Sequence, residues 1–262
     1  MISFAKYHGT GNDFILIDNR EGCVHLSEAT VARLCDRHLG IGADGLILLE
    51  TSASAEAFFS MVYYNSDGRV SSMCGNGGRC LVAFAQRIGL VTGDTVTFTA
   101  ADGLHTATIL PDGRVSLGMT DVEKVEHLDG YSLLDTGSPH FVQWVETVGE
   151  RAVEAEGRSI RHWEEFEPGG VNVNFVEASE DGLIVRTYER GVEGETLSCG
   201  TGVTAAAIAS TGEEEGTFAV PVSTPGGMLE VSFVKDGPTS AKEVVLTGPV
   251  VFVFEGKVMN EE

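Results

Sequence analysis

The sequence predicts an α+β protein of two pseudo-symmetric domains from an internal duplication, each a mostly antiparallel sheet wrapped around a central helix. Two observations carry this. Three blocks recur in one order at a near-constant offset. Each half also holds one Cys-Gly step that opens directly into a small or apolar run of helical character.

KYHGTGNDFILID (6–18) reads as strand, glycine turn, strand. It returns as LLDTGSPHFVQWV (133–145), with Thr10-Gly11 against Thr136-Gly137 and Phe14 against Phe141. SMVYYNSDGRVSSMCGNGGRCLVAFA (60–85) reads as strand, polar turn, Cys-Gly and helix. It returns as VRTYERGVEGETLSCGTGVTAAAIAS (185–210), placing Cys199 125 positions beyond Cys74. VTFTAADGLHTATIL (96–110) is strand, turn, strand by its alternation and turn residues, and returns as VPVSTPGGMLEVSFV (220–234). The boundary is expected near 118–130, in the polar stretch TDVEKVEHLDG (120–130).

At 262 residues the chain has room for one large domain or two smaller ones. A hydrophobic content of 42% is ordinary for a globular protein. No apolar run approaches the roughly 18–20 residues that span a bilayer. The start, MISFAKYHGTGNDF, lacks the apolar stretch of a secretory signal, so a cytoplasmic location is expected.

The charge is unusual: 17 basic residues against 39 acidic ones give −22. Such a field repels nucleic acid and anionic membranes, so neither is expected as a partner. The acids are scattered apart from short clusters such as EEFE (164–167) and EEE (213–215). Two readings stay open. The charges keep an ordinary cytosolic enzyme soluble, or they suit a high-salt cytoplasm in which screening relieves self-repulsion.

The five cysteines are Cys23, Cys35, Cys74, Cys80 and Cys199. An odd count without an export signal argues against a disulfide framework. Cys74 and Cys80 are spaced poorly for zinc, and no metal site is expected. Cys23, Cys35 and Cys80 read as buried structural thiols. Cys74 and Cys199 differ, because each stands where a helix begins. The partial positive charge there lowers a thiol's pKa, and the same amides bind carboxylates. A Walker-type phosphate loop would need Gly-Lys-Ser/Thr, which is absent. A single-cysteine hydrolase using His140 would leave the second motif unexplained.

Two activated thiols suit inversion of a carbon centre, one removing a proton from one face and the other delivering one to the opposite face. No nucleotide or pyridoxal phosphate signature is present, so no cofactor is expected. Stabilisation of the carbanion then falls to helix N-termini acting on the substrate carboxylate.

HGTGNDF (8–14), GIGADG (40–45), YNSDG (64–68), CGNGGRC (74–80), TGSPH (136–140), VNVNF (171–175), YERGVEGET (188–196) and SCGTG (198–202) together resemble the diaminopimelate epimerase family. The blocks span most of the chain in the family's order. The resemblance implies a cofactor-independent isomerase that converts LL-diaminopimelate to the meso form, for lysine and peptidoglycan precursor synthesis. It also implies that the last strands, TGPVVFVFEGKV (247–258), return to the first half. The expected domains are then 1–118 with 247–262, carrying Cys74, and 119–246, carrying Cys199.

By the same resemblance Cys74 and Cys199 are the catalytic acid/base pair, with His140 auxiliary. The amides at Gly75-Asn76 and Gly200-Thr201 hold the reacting carboxylate. Asn12, Asn65 and Asn172 grip the substrate. Arg190 offers a bidentate donor for its distal carboxylate, and Glu189 takes an ammonium group and counts with the catalytic residues. The implied partner is a small molecule, with a homodimer as the assembly to look for.

The chain departs from the family pattern at Ser138, where many members have asparagine, and at Gly45, where some have glutamine. Two alternatives stay open from sequence: a proline or hydroxyproline racemase of the wider superfamily, and a non-catalytic binding module on this fold.

With −22 charges, self-repulsion is severe in dilute buffer and largely screened near 1 M salt, where the Debye length is about 3 Å. The melting temperature is expected to rise steeply between dilute buffer and molar KCl. A flat profile in a thermal-shift series would leave only the solubility reading.

Overall fold

The computed structural model describes residues 1–71 and 73–259; Ser72 of the first Cys-Gly block and residues 260–262 of the expected first domain lie outside them. The chain divides into two compact units, Met1–Leu117 with Gly248–Glu262, and Gly118–Thr247.

In the first unit the elements run β1 (Ile2–Gly9), β2 (Asn12–Asp18), α1 (Glu28–Cys35), β3 (Gly45–Glu50), β4 (Phe59–Asn65), α2 (Gly75–Arg87), β5 (Thr95–Ala100), β6 (Gly103–Ile109) and β7 (Val115–Gly118). The second contains β8 (Val125–Leu128), β9 (Tyr131–Asp135), β10 (Pro139–Trp144), α3 (Val153–Arg161), β11 (Asn172–Ser179), β12 (Gly182–Glu189), β13 (Gly194–Thr196), α4 (Gly200–Ser210), β14 (Gly216–Thr224), β15 (Gly227–Lys235) and β16 (Lys242–Gly248). The last strand, β17 (Val251–Val258), pairs with β1 and so belongs to the first unit.

Strand order shows the duplication directly. The first unit reads 17-1-2-3-4-5-6-7, antiparallel except at β2–β3 and β4–β5. The second reads 8-9-10-11-12-14-15-16, antiparallel except at β10–β11 and β12–β14. The two parallel joints fall at equivalent places, and β8 takes in the second unit the edge position that β17 takes in the first.

The central strands are apolar on both faces because both are covered. Along β2, Ile15 and Ile17 pack with α1 residues Val31 and Leu34. Phe14, pointing the other way, lies beside Gly77 of α2. In β11, Val173 and Phe175 join the cluster under α3, while Asn174 and Val176 face α4. Both central helices are buried nearly all round, so they are built mostly from small and apolar residues, with Asn76 and Arg79 as buried polar exceptions in α2. The far end of α4 is closed by buried Lys235, whose ammonium donates to Thr211 Oγ1 and the Gly212 carbonyl.

Three features differ from the expectations. Each unit carries a second, outer helix, α1 or α3, that the duplicated blocks do not cover. The polar stretch 120–130 is not a plain connector: it holds β8, with Val125 buried and residues 126–128 facing outward. Cys23 is exposed, because it falls in the loop between β2 and α1, whereas Cys35 and Cys80 are buried. Among the described residues no helix is long and apolar enough to cross a membrane.

Close packing of the central helix sets a test. A methyl group at Gly202 would lie 2.3 Å from Asn174 Oδ1. Asn174 is wholly buried and hydrogen-bonded, so Gly202→Ala should cost about 1–3 kcal/mol in urea denaturation. Gly93→Ala, with nothing within 4 Å of its new methyl, should stay within about 0.5 kcal/mol.

Candidate active site

In the first unit the site grows from a two-residue hairpin and a helix start. Gly9 pairs with Asn12, so Thr10 and Gly11 alone turn the chain, with φ of 49° and 83°. Both angles are positive, as a type I′ hairpin requires. The turn sets Asn12 at the head of β2, facing the start of α2. Cys74 is the N-cap of α2, in extended conformation and without a side-chain cap bond. The first helical bond is Gly78 N–H to Cys74 O, so the amides of residues 75–77 point out of the helix start.

The polar side chains here form one directed network. Asn12 Nδ2 donates to Asp44 Oδ2 at 2.8 Å, which turns the Asn12 carbonyl oxygen toward α2. That oxygen accepts from the Cys74 thiol at 3.8 Å and from Asn76 Nδ2 at 3.2 Å. Asn76 Oδ1 in turn accepts from Arg79 Nη2 at 2.8 Å. Asp44 is itself held by Arg37 at 2.8 Å, and Arg37 and Lys6 both pair with Asp13. Burial raises the Asp13 pKa, but hydrogen bonds from Arg37 and Lys6 outweigh it and pull the carboxyl down to about 2. Asn65 ends β4 opposite Gly45 and is exposed, outside this network.

In the second unit Cys199 is the N-cap of α4 in the same extended conformation, with Gly200 and Thr201 in the first turn. Here too the hydrogen bonds have a direction. Asn174 Nδ2 donates to Phe141 O at 3.0 Å, which fixes its amide, and to His140 Nδ1 at 3.1 Å. His140 therefore carries its proton on Nε2 and donates to Ser138 Oγ at 3.1 Å. Asn172 Nδ2 also donates to Ser138 Oγ, at 3.1 Å. With both lone pairs engaged, the Ser138 hydroxyl donates to Thr201 Oγ1 at 3.4 Å, whose own proton faces Cys199 Sγ at 3.5 Å. Asn172 Oδ1 accepts from the backbone of Arg190 at 2.9 Å, so Asn172 positions that residue. Glu189 closes β12, its Oε2 accepting from Thr196 at 3.0 Å.

The structure thus gathers Asn12, Cys74, Gly75 and Asn76 in one unit, and His140, Asn172, Arg190, Cys199, Gly200 and Thr201 in the other. Sequence reasoning passed over Asp44, Arg79, Ser138 as a relay, and Asn174. The alternation in VNVNF was a usable signal for the last, since it puts Asn172 and Asn174 on one face of a buried strand. Among the described residues no three His, Cys, Asp or Glu side chains come together as a metal site would need.

The family model described as diaminopimelate epimerase matches residues 4–125 and again 132–253, once in each unit. The chain belongs to the diaminopimelate epimerase family. A diaminopimelate epimerase from Flavobacterium psychrophilum is 50% identical over 254 residues, covering 95% of this chain and 97% of the relative. At the level of fold alone, a PhzF-family phenazine biosynthesis protein from Bacillus anthracis matches with TM-score 0.76 and 14% identity, covering 98% and 99% of the two chains. A probable proline racemase from Agrobacterium radiobacter K84 matches with TM-score 0.73 and 17% identity, covering 100% and 94%. Like the family as a whole, the chain is an isomerase of the epimerase type.

Burial, with Arg190 nearby, holds the His140 pKa down at about 3. Its folded value lies below the ordinary value near 6.5, so the neutral ring's stabilisation is full above about 6.5 and is lost as pH falls toward 3. The His140 imidazole is expected to show no NMR titration between pH 5 and 8. A midpoint within that range would overturn the neutral-donor assignment.

Proposed function

We propose that the protein interconverts LL- and meso-diaminopimelate, with Cys74 and Cys199 exchanging the roles of base and acid. The thiolate of one takes the α-proton, and the thiol of the other returns a proton to the opposite face. Amides of the first turns, at Gly75-Asn76 and Gly200-Thr201, take the reacting carboxylate as it gains enolate character, the task of an oxyanion-type cradle. The observation that carries this reading is the duplication: two N-cap cysteines, each opening a buried helix.

The surroundings support alternating roles. Asn12 offers Cys74 an acceptor for the S–H form. Thr201 offers Cys199 a hydroxyl that donates to the thiolate or accepts from the thiol. Arg190 and Glu189, side by side at the end of β12, suit the carboxylate and ammonium of the distal amino-acid end. Asn65 completes the proposed substrate contacts. A substrate with one carboxylate would leave Arg190 without a purpose, which favours diaminopimelate over proline-type substrates. Formation of this metabolite's meso isomer serves lysine and peptidoglycan precursor synthesis, in the cytoplasm.

Cys74→Ala and Cys199→Ala should each abolish epimerisation while the protein stays folded. Cys80→Ala, in the buried body of α2, should keep most activity. Incubation with LL-diaminopimelate in deuterated water should give meso product carrying deuterium at the α-carbon. Near-normal turnover by either single mutant would sink the two-thiol mechanism, and absence of exchange by the wild type would favour a binding module.

A further inference from the structure

Arg79 is a buried guanidinium with no acid beside it. It lies five residues beyond Cys74 in α2 and is 0% exposed. Its bonds go to neutral acceptors: Nη1 donates to Gly75 O at 3.4 Å and Nη2 to Asn76 Oδ1 at 2.8 Å. Its Nε, also buried, has no partner. No carboxylate among the described residues pairs with it. An uncompensated buried charge is expensive, and an arginine does not shed its proton to escape the cost.

Burial works against this charge, and the groups beside it that would favour it are the thiols of Cys80 and Cys74. Cys80 is wholly buried, and burial pushes its thiol far above the usual range, so it stays neutral. Cys74 is left as the group able to become the missing anion. The duplicated half supplies a contrast. Thr204 stands five residues beyond Cys199, and its hydroxyl donates to Gly200 O at 2.9 Å, the carbonyl equivalent to the one Arg79 takes. Both helices keep the backbone contact, but only α2 makes it with a charge.

We propose that Arg79 is a positioning residue for Cys74: its buried charge, folded against the first turn of α2, favours the thiolate that accepts the substrate proton. The inference rests on the two-thiol reading for its consequence in turnover, not for its effect on the thiol. Other titratable groups come from the elements packed against α2: Tyr7 and His8 of β1, Asp13 of β2, Asp44 before β3, Tyr63 of β4, and His105 of β6, paired with Asp102 at 2.8 Å. Asp13 and Asp44 are matched by Lys6 and Arg37, two of each sign. Among the described charged groups packed at the start of α2, Arg79 is the one without an opposite charge. The Asn12 oxygen pulls the other way, since it can only accept from the protonated thiol. Between the two, Cys74 is poised to act as base in one direction and acid in the other, as a reversible reaction needs.

The test is iodoacetamide labelling of the intact protein across pH without substrate, read cysteine by cysteine by peptide mass mapping. Wild-type Cys74 should titrate below the ordinary thiol value of about 8.5. In Arg79→Gln, labelling of Cys74 at pH 7 should fall about tenfold. Arg79→Lys, which keeps the charge, should stay within about threefold of wild type, and Cys199 should be unaffected by either change. Unchanged Cys74 labelling in folded Arg79→Gln overturns the proposal, as does an equal loss in the lysine and glutamine variants. If Arg79→Gln fails to fold, the wild type decides: titration of Cys74 at or above the ordinary value overturns it. Retained turnover in Cys74→Ala would instead defeat the two-thiol reading and leave the labelling result standing.

Discussion

Each unit is organised by one constraint: a whole helix is buried inside its sheet. A helix with almost no solvent face must be made mostly of small and apolar residues, as α4 is and as α2 is apart from buried Asn76 and Arg79 and its exposed last two residues. Strands packed against it must be apolar toward it, and their outer faces need covers of their own, which α1 and α3 supply. The polar groups at the helix start are buried or half-buried, and they bond to one another. Hence the closed sequences Arg79–Asn76–Asn12–Asp44 and Asn174–His140–Ser138–Thr201. The two N-cap cysteines stand at these helix starts, where backbone amides are left unused.

The parts of this that follow local rules were legible in the sequence. Thr10-Gly11 and its echo Thr136-Gly137 announce tight turns, and the twin Cys-Gly steps announce helix starts, because those residues are chosen for backbone reasons. The outer helices escaped notice since they are only eight and nine residues long and lie outside the repeated blocks. β8 hid in a polar stretch because an edge strand buries little of itself. At the site, the two cysteines could be read from their repetition. The roles of Asp44 and Arg79 could not, since arginine and aspartate are mostly surface residues and nothing local marks the exceptions. The orientation of the Asn12 amide depends on Asp44 and Asn76, 32 and 64 positions away, and a linear pattern does not carry it.

Two populations of charge coexist in the molecule. The acids that dominate the total are mostly on the surface, where dissolved salt screens them. Lys6 and Arg79 are buried, and screening reaches them weakly. On the proposed role of Arg79, the charge that acts on Cys74 is thereby insulated from the ionic strength that governs the outer surface. A strongly acidic exterior can then vary with the medium while the chemistry inside keeps one setting.

The placement of β17 bears on how the protein comes into being. In the first unit β1 precedes the whole of the second unit, yet its edge partner β17 follows it, while the second unit opens with its own edge strand, β8. On the ribosome, residues 118–247 are all available to fold before the earlier unit has its final strand. The half that is made first is thus finished last, and until then β1 presents an open ladder to the cell. Birth order and completion order run in opposite directions, and a chain lost near residue 248 would spare the younger half and cripple the older.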